Sequence, residues 1–438
     1  VTVPQKSPTS PDGPRAPVRA LVAWAFFDWA NSAHPTLVTT FIFAAYFTKA
    51  VAPDPVTGTS LWGYAVSLSA LAVAVLSPLL GAIADNSGRR KPWLFVLTAL
   101  TVGVTALLWF VKPNPTYIVL ALVLAGIGNF AFELGMVFYN AMLPTLVPRS
   151  MIGRLSGWAW GLGYLGGLAC LAVALLGFLQ PERPWFGVGK DEAANVRATM
   201  LLVAVWFAVF AVPLFVFTPD QPAARLKPLE AVRAGAAALV ATVRELRAYK
   251  TIIMFLVAMM FCLNALTTLF AFGGIYAASL FGMDFDELLI FGIAMNVTAG
   301  VGAALFGWVD DWIGPKRTIL IAVGCLTALA AGILTVESKT LFWALALPLG
   351  LFVGPAQAAG RSFMARLAPA TMRAEMFGLY ALSGKATAFL GPAVLAWVTD
   401  AFQSQRVGMA VILAFFVIGA LLLLPVPDAG GAPREAAS

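Results

Sequence analysis

Apolar residues run along this chain for about 20 positions at a time, the length needed to cross roughly 30 Å of hydrocarbon as a helix. Short turns containing Gly, Pro, Asp and Arg separate the runs. Twelve such spans can be drawn, near 20 to 49, 60 to 84, 92 to 111, 116 to 142, 154 to 179, 197 to 217, 251 to 281, 287 to 309, 317 to 336, 340 to 365, 375 to 400 and 406 to 425. The pattern predicts an all-α membrane protein with twelve transmembrane helices. Residues 1–19, rich in Pro, Ser and Thr, read as a disordered tail, and the apolar run that follows is too long for a signal peptide. Residues 218–250 form a linker with six basic residues and an amphipathic stretch from Leu229 to Tyr249, and 426–438 form a C-terminal tail.

Composition supports the same class. Hydrophobic residues make up 60% of the 438 positions and charged residues 11%, far below the quarter typical of soluble domains. The formal charge of +7 does not point to nucleic acid, because the bases cluster in alternate loops. With both termini in the cytoplasm, most of the 28 Lys and Arg fall on that side, as the positive-inside rule requires. Cys170, Cys262 and Cys325 all lie in apolar spans, so they offer neither a disulfide framework nor a metal site.

The chain also repeats itself. Gly81, Asp85, Gly88 and Arg90, between spans two and three, return as Gly307, Asp311, Gly314 and Lys316, between spans eight and nine. A second match aligns Asn140, Arg154 and Gly157 with Arg361, Glu375 and Gly378. Glycines allow two helix ends to approach closely, and each Asp can accept hydrogen bonds from a facing helix end. These eight residues are a candidate conformational gate. The duplicated motif resembles that of the major facilitator superfamily, which implies two pseudo-symmetric six-helix bundles, here 20–217 and 251–425, with a substrate site between them.

Charges inside the hydrocarbon are costly and mark pathways. Asp28 and Glu133 lie in the first half, Arg361 and Lys385 in the second. At 1.5 Å per residue, Asp28 and Glu133 sit about 12 Å from the cytoplasmic span ends and Lys385 about 15 Å. Asp28, Ser32, Pro35 and Thr39 share one helical face, and Asn129, Glu133 and Asn140 share another within about 40°. Pro35 leaves the Asn31 carbonyl without its usual donor and predicts a kink. Two readings stay open for Asp28 and Glu133: lining a wet cavity, or forming buried ion pairs.

His34, the single histidine, suits a proton relay because imidazole titrates near neutral pH, but it points about 120° away from Asp28, as a packed core histidine would. Lys385 precedes a Gly391–Pro392 break. It can switch charge, pair with Asp28 or Glu133, or hold a substrate carboxylate. Asn31, Asn129, Asn140, Asn264 and Gln357 complete the candidate substrate and proton pathway.

Further motifs narrow the resemblance. Phe27-Asp28-Trp29-Ala30-Asn31-Ser32, Tyr139-Asn140-Ala-Met-Leu-Pro144, Gly163-Tyr-Leu-Gly-Gly167, Gly354-Pro355-Ala-Gln357 and Gly378-Leu-Tyr380 through Gly384-Lys385 are similar to the vacuole-effluxer-like family, also called the unknown major facilitator family. The chain departs from that pattern at His34, where an aromatic is usual, and at Ala44-Ala45, where a Pro pair is usual. The resemblance implies proton-coupled efflux of a small organic solute, with amino acids as the characterised case. It further implies a monomer in lipid, in a bacterial cytoplasmic membrane, with no cofactor. Proton-coupled uptake and a receptor on the same fold remain alternatives. A membrane enzyme lacks its nucleophile and base or metal cluster, and no Walker motif is present for ATP-driven pumping.

Overall fold

The computed structural model describes residues 15–222, 230, 232–237, 240, 249–283 and 285–428. Most of the expected N-terminal tail, most of the amphipathic linker stretch and nearly all of the C-terminal tail lie outside the described residues. Among the described residues, eleven helices are long and apolar enough to cross a membrane. They are α2 (Pro55–Ser87), α3 (Lys91–Leu107), α4 (Ile118–Leu146), α5 (Ile152–Ala174), α6 (Ala194–Phe217), α7 (Lys250–Phe281), α8 (Phe285–Ile313), α9 (Pro315–Thr335), α10 (Lys339–Leu367), a two-part α11 (α11a Arg373–Lys385, α11b Leu390–Phe402) and α12 (Gln405–Leu423).

The first span is assembled from shorter pieces. After α1 (Val18–Asn31) the chain passes into a wide π-helical segment, His34–Phe41, where the Ile42 N–H bonds the Leu37 carbonyl at 3.0 Å. Pro35 lies at its start, having no N–H to continue the regular ladder. Outside the first span, Asp54 caps α2, and hydrogen bonds from the Thr57 hydroxyl and backbone hold its carboxyl below the usual range.

The break in α11 falls at residues 386–389, upstream of the expected Gly391–Pro392. Pro392 stands in the first turn of α11b, where a missing N–H leaves nothing unpaired. The ring of a proline excludes the carbonyl four residues earlier, so regular helix is lost before it.

Helices α1 to α6 form one bundle and α7 to α12 the other, the major facilitator arrangement. They meet chiefly through α5 with α8 and α2 with α11a, supported by α5 with α10 and α4 with α11a. Twelve passes place the start of α1, the end of α12 and the α6–α7 connection on one face, hereafter the linker face. Small residues make the seam close there. A Cβ at Gly157 would overlap the Ala303 carbonyl, and one at Gly378 would stand 2.5 Å from the Ser77 carbonyl oxygen. Toward the other face, a Cβ at Gly63, Gly273 or Gly292 would meet no atom within 4 Å. The halves are therefore shut at the linker face, where α11a packs on α2; α11b, beyond the break, makes no comparable packing with α2.

Gly157→Leu tests the seam. Overpacking at a closed contact typically costs about 1–3 kcal/mol, so the closed state should lose about tenfold in population. Labelling of an introduced Ala358→Cys from the linker face should rise accordingly. Unchanged labelling would show that α5 and α8 tolerate separation at this point.

Candidate functional site

The gate is built from two turns. Gly88 ends α2 with φ 79° and Gly314 follows α8 with φ 90°, conformations that a side chain would strain. The turns leave Asp85 and Asp311 aimed across the seam at the first turn of a helix in the opposite half. Asp85 accepts the Glu375 N–H at 2.9 Å and the Arg90 guanidinium at 2.8 Å. Asp311 accepts the N–H groups of Gly153 and Arg154 at 2.8 and 3.0 Å, and the guanidinium groups of Arg154 and Arg366 at 2.8 and 2.9 Å. Arg154 and Glu375 are equivalent in the repeat, so one interaction is made twice. Each carboxylate meets unpaired N–H groups and the positive end of a helix dipole.

Gly81 and Gly307 make the approach possible: a Cβ at Gly81 would overlap the Ala374 carbonyl, and one at Gly307 would stand 3.0 Å from that of Gly153. Arg90 is buried and also donates to the Ala141 carbonyl at 3.1 Å, whereas Lys316 stays accessible and donates to the Leu424 carbonyl at 2.7 Å.

Deeper in the seam stands Arg361, 2% exposed. Its guanidinium donates to Asp28 at 3.0 Å, to the Ser156 hydroxyl at 2.9 Å, to the Ser156 carbonyl at 2.6 Å and to Asn140 at 3.4 Å. The faces of Trp24, Tyr139 and Trp160 surround it, with centroids 5.3, 5.8 and 5.6 Å away. Trp24 and Tyr139 are fixed by stacking at 4.4 Å and by exchanging ring-to-backbone hydrogen bonds. Asp28 is thus a buried partner of Arg361 rather than a residue lining open space. Asn31 orients it, donating to Asp28 Oδ1 at 3.3 Å.

The third layer joins Glu133 to Lys385 at 2.5 Å, with side chains 22% and 33% exposed. Because α4 runs on to Leu146 and α11a begins at Arg373, the pair lies about 20 Å from the helix ends at the linker face, at 1.5 Å per residue. It is deeper than the span boundaries drawn from hydropathy implied. At a similar level Gln357 donates to the Tyr164 hydroxyl across the seam at 2.9 Å.

The other predicted pathway residues do not join this centre. His34 is buried within the first bundle, its Nδ1 3.1 Å from the Thr105 hydroxyl and its ring stacked on Phe132. Asn129 donates to Ser69 at 2.7 Å, within the same half. Asn264 braces the α11 break, donating to the Thr387 hydroxyl at 2.9 Å.

Similarity to known proteins follows the same lines. A family profile described as "Vacuole effluxer Atg22 like" matches residues 50–436. The chain belongs to the vacuole effluxer Atg22-like family. An uncharacterized MFS-type transporter of Bacillus subtilis (strain 168), YxiO, is 26% identical over 409 residues, covering 93% of this chain and 94% of its own. Autophagy-related protein 22 of Coccidioides immitis (strain RS) is 21% identical, over 83% of this chain and 70% of its own. Among solved structures, the proton:xylose symporter XylE bound to 6-bromo-6-deoxy-D-glucose superposes with a TM-score of 0.69 at 14% identity, covering 94% of this chain and 95% of that one. The human organic anion transporter MFSD10 gives 0.69 at 14%, over 93% and 99%. Members and neighbours are transporters, not enzymes. At such identities the structural likeness carries the fold alone.

Several site residues escaped sequence reasoning. Ser156, Trp24 and Trp160 have no signature outside the fold, and Tyr139 was quoted within a motif without a role. Asp310, which pairs with Arg366 at 3.0 Å and accepts from Ser362 at 3.2 Å, was overlooked beside its motif neighbour Asp311.

Two outcomes follow from this geometry. Asp311 accepts more charge-assisted bonds than Asp85, so Asp311→Asn should increase linker-face labelling of Ala358→Cys more than Asp85→Asn does; equal effects would remove the asymmetry. Asp28→Asn strands a buried guanidinium, a loss of about 3–5 kcal/mol. It should lower the thermal unfolding midpoint clearly, and pairing it with Arg361→Met should recover part of the loss.

Proposed function

We propose that this chain is a proton-coupled secondary active transporter that exports a small organic solute, an amino acid or related zwitterion, by alternating access. The observation that carries this reading is the Glu133–Lys385 pair, which is partly exposed, joins the two halves and sits above two closed layers. A zwitterion entering there can place its carboxylate on Lys385 and its ammonium on Glu133. The two charges are then satisfied by solute instead of by each other, and the halves are released to rearrange around it.

Asp28 and Arg361 supply the coupling step in this reading. A proton on Asp28 removes the counter-ion of Arg361 and weakens the link between α1 and α10. Opening of the linker face then requires both Asp85 and Asp311 to leave the helix ends they cap. The family's description as effluxers supports export. The Lys and Arg of the linker-face loops support a cytoplasmic linker face in a bacterial inner membrane. The parts work as one chain in lipid.

Purified protein in proteoliposomes provides the test. Zwitterion flux should be accompanied by a pH change in the lumen. Glu133→Gln and Lys385→Met should each reduce flux by about tenfold or more, corresponding to roughly 1.4 kcal/mol of lost binding. The double variant should fold as well as the wild type and remain inactive. Restored flux in the double variant would reduce the pair to a structural link and sink the substrate reading.

A further inference from the structure

A separate cavity lies within the second half, at the face opposite the linker, away from the gate and both ion pairs. Helices α7 and α11b cross tightly at Gly391, where a Cβ would overlap the Thr268 hydroxyl and stand 3.0 Å from the Asn264 carbonyl. Beyond that crossing they diverge, and the first turn of α12 closes the back. The space left is about 490 Å³, within the range of about 300–1,000 Å³ typical of small-molecule pockets.

Its walls are mostly apolar, formed by Phe272, Ile275, Leu395 and Met409. The polar residues of the lining are Tyr276, Thr399, Asp400, Gln403, Ser404 and Gln405. The Tyr276 and Thr399 hydroxyls are buried in the walls, that of Thr399 against Gly408 of α12, and do not open onto the space. Asp400 stands at the exposed mouth, where Gln403 Nε2 contacts its Oδ1 at 3.3 Å and no described basic side chain forms an ion pair with it. Arg406, in the first turn of α12, donates instead to the Val336 carbonyl at 3.1 Å.

An apolar cavity whose mouth carries a carboxylate outside any described ion pair discriminates by charge. A primary ammonium brings three N–H donors, and its apolar body can cover the walls. A carboxylate of the same length would face Asp400 with like charge. A neutral alcohol would leave Asp400 without a counter-ion.

We propose that this cavity binds amphiphilic primary amines, and that occupancy holds the protein in its linker-face-closed state. The second statement rests on α11: the cavity wall α11b is joined through the break at 386–389 to α11a, whose first turn makes the Asp85 junction. The site owes nothing to the transported solute.

The test uses full-length protein in phosphatidylcholine nanodiscs, with octylamine, octanol and octanoate as probes and calorimetric titration as the readout. Octylamine should bind saturably. Asp400→Asn should weaken it by about tenfold or more, as loss of a charge-assisted contact does, and Ala396→Trp, which fills the cavity, should remove it. Octanol and octanoate should show only unsaturable partition into lipid. Glu133→Gln and Lys385→Met should leave octylamine binding unaltered, separating this site from the proposed transport pathway. Equal octylamine affinity in wild type and Asp400→Asn, or octanol binding as tightly as octylamine, would overturn the site. Octylamine should also lower linker-face labelling of Ala358→Cys severalfold; unchanged labelling would overturn the conformational claim.

Discussion

One buried guanidinium organises the seam between the two halves. A cation removed from water costs several kcal/mol unless its donors and its charge are both met. Arg361 is met by residues of α1, α4 and α5 at once: Asp28 neutralises it, Ser156 and Asn140 accept from it, and three aromatic faces replace part of its hydration. None of those partners belongs to the bundle that carries Arg361. The closed arrangement is therefore specified by a group that only the opposite bundle can satisfy. Apolar packing alone would not impose that registry in lipid, where tails are as apolar as the side chains they compete with.

The layers differ in what holds them. At the linker face, carboxylates meet helix ends, so strength depends on dipoles and charge-assisted bonds at the edge of the bilayer. One layer deeper, the Asp28–Arg361 link is almost dry. The Glu133–Lys385 link is wetter, and a partly exposed pair exchanges partners at less cost than a dry one. Of the two intramembrane links, the one nearer the opposite face exchanges more easily. That order suits a path in which solute acts first where links are weakest.

Much of the fold was legible in the sequence because lipid imposes one rule on every span: a run of about 20 apolar residues, punctuated by turns. The duplicated Gly-Asp-Gly-basic motif gave the pairing of the halves, since the same turn written twice must do the same work. Side-chain partnerships were harder to read. Helical periodicity placed Asp28 and Glu133 on polar faces, but it could not tell a wet face from one covered by another helix. Arg361 was visible as an intramembrane charge, yet Ser156 and Trp160, on another helix, carry no pattern that announces the contact. Arg90 was named as a gate residue, but its burial between Asp85 and the Ala141 carbonyl is not announced by its basic neighbours Arg89 and Lys91. The α11 break was expected at its proline and occurred before it, since a proline disturbs the turn preceding it.

The contact between Asn140 and Arg361 has a consequence for how such a chain can be made from two copies of one half. These residues occupy the same place in the two repeats and touch at 3.4 Å, so they lie close to the axis that relates the bundles. A residue on such an axis faces its own image. Had both copies carried the arginine, two guanidinium groups would confront each other in a dry seam; had both carried the asparagine, no charge would fix the interface. Fusing the halves into one polypeptide frees the two positions to diverge. An identical pair of separate subunits has no such freedom, and this particular lock is closed to it.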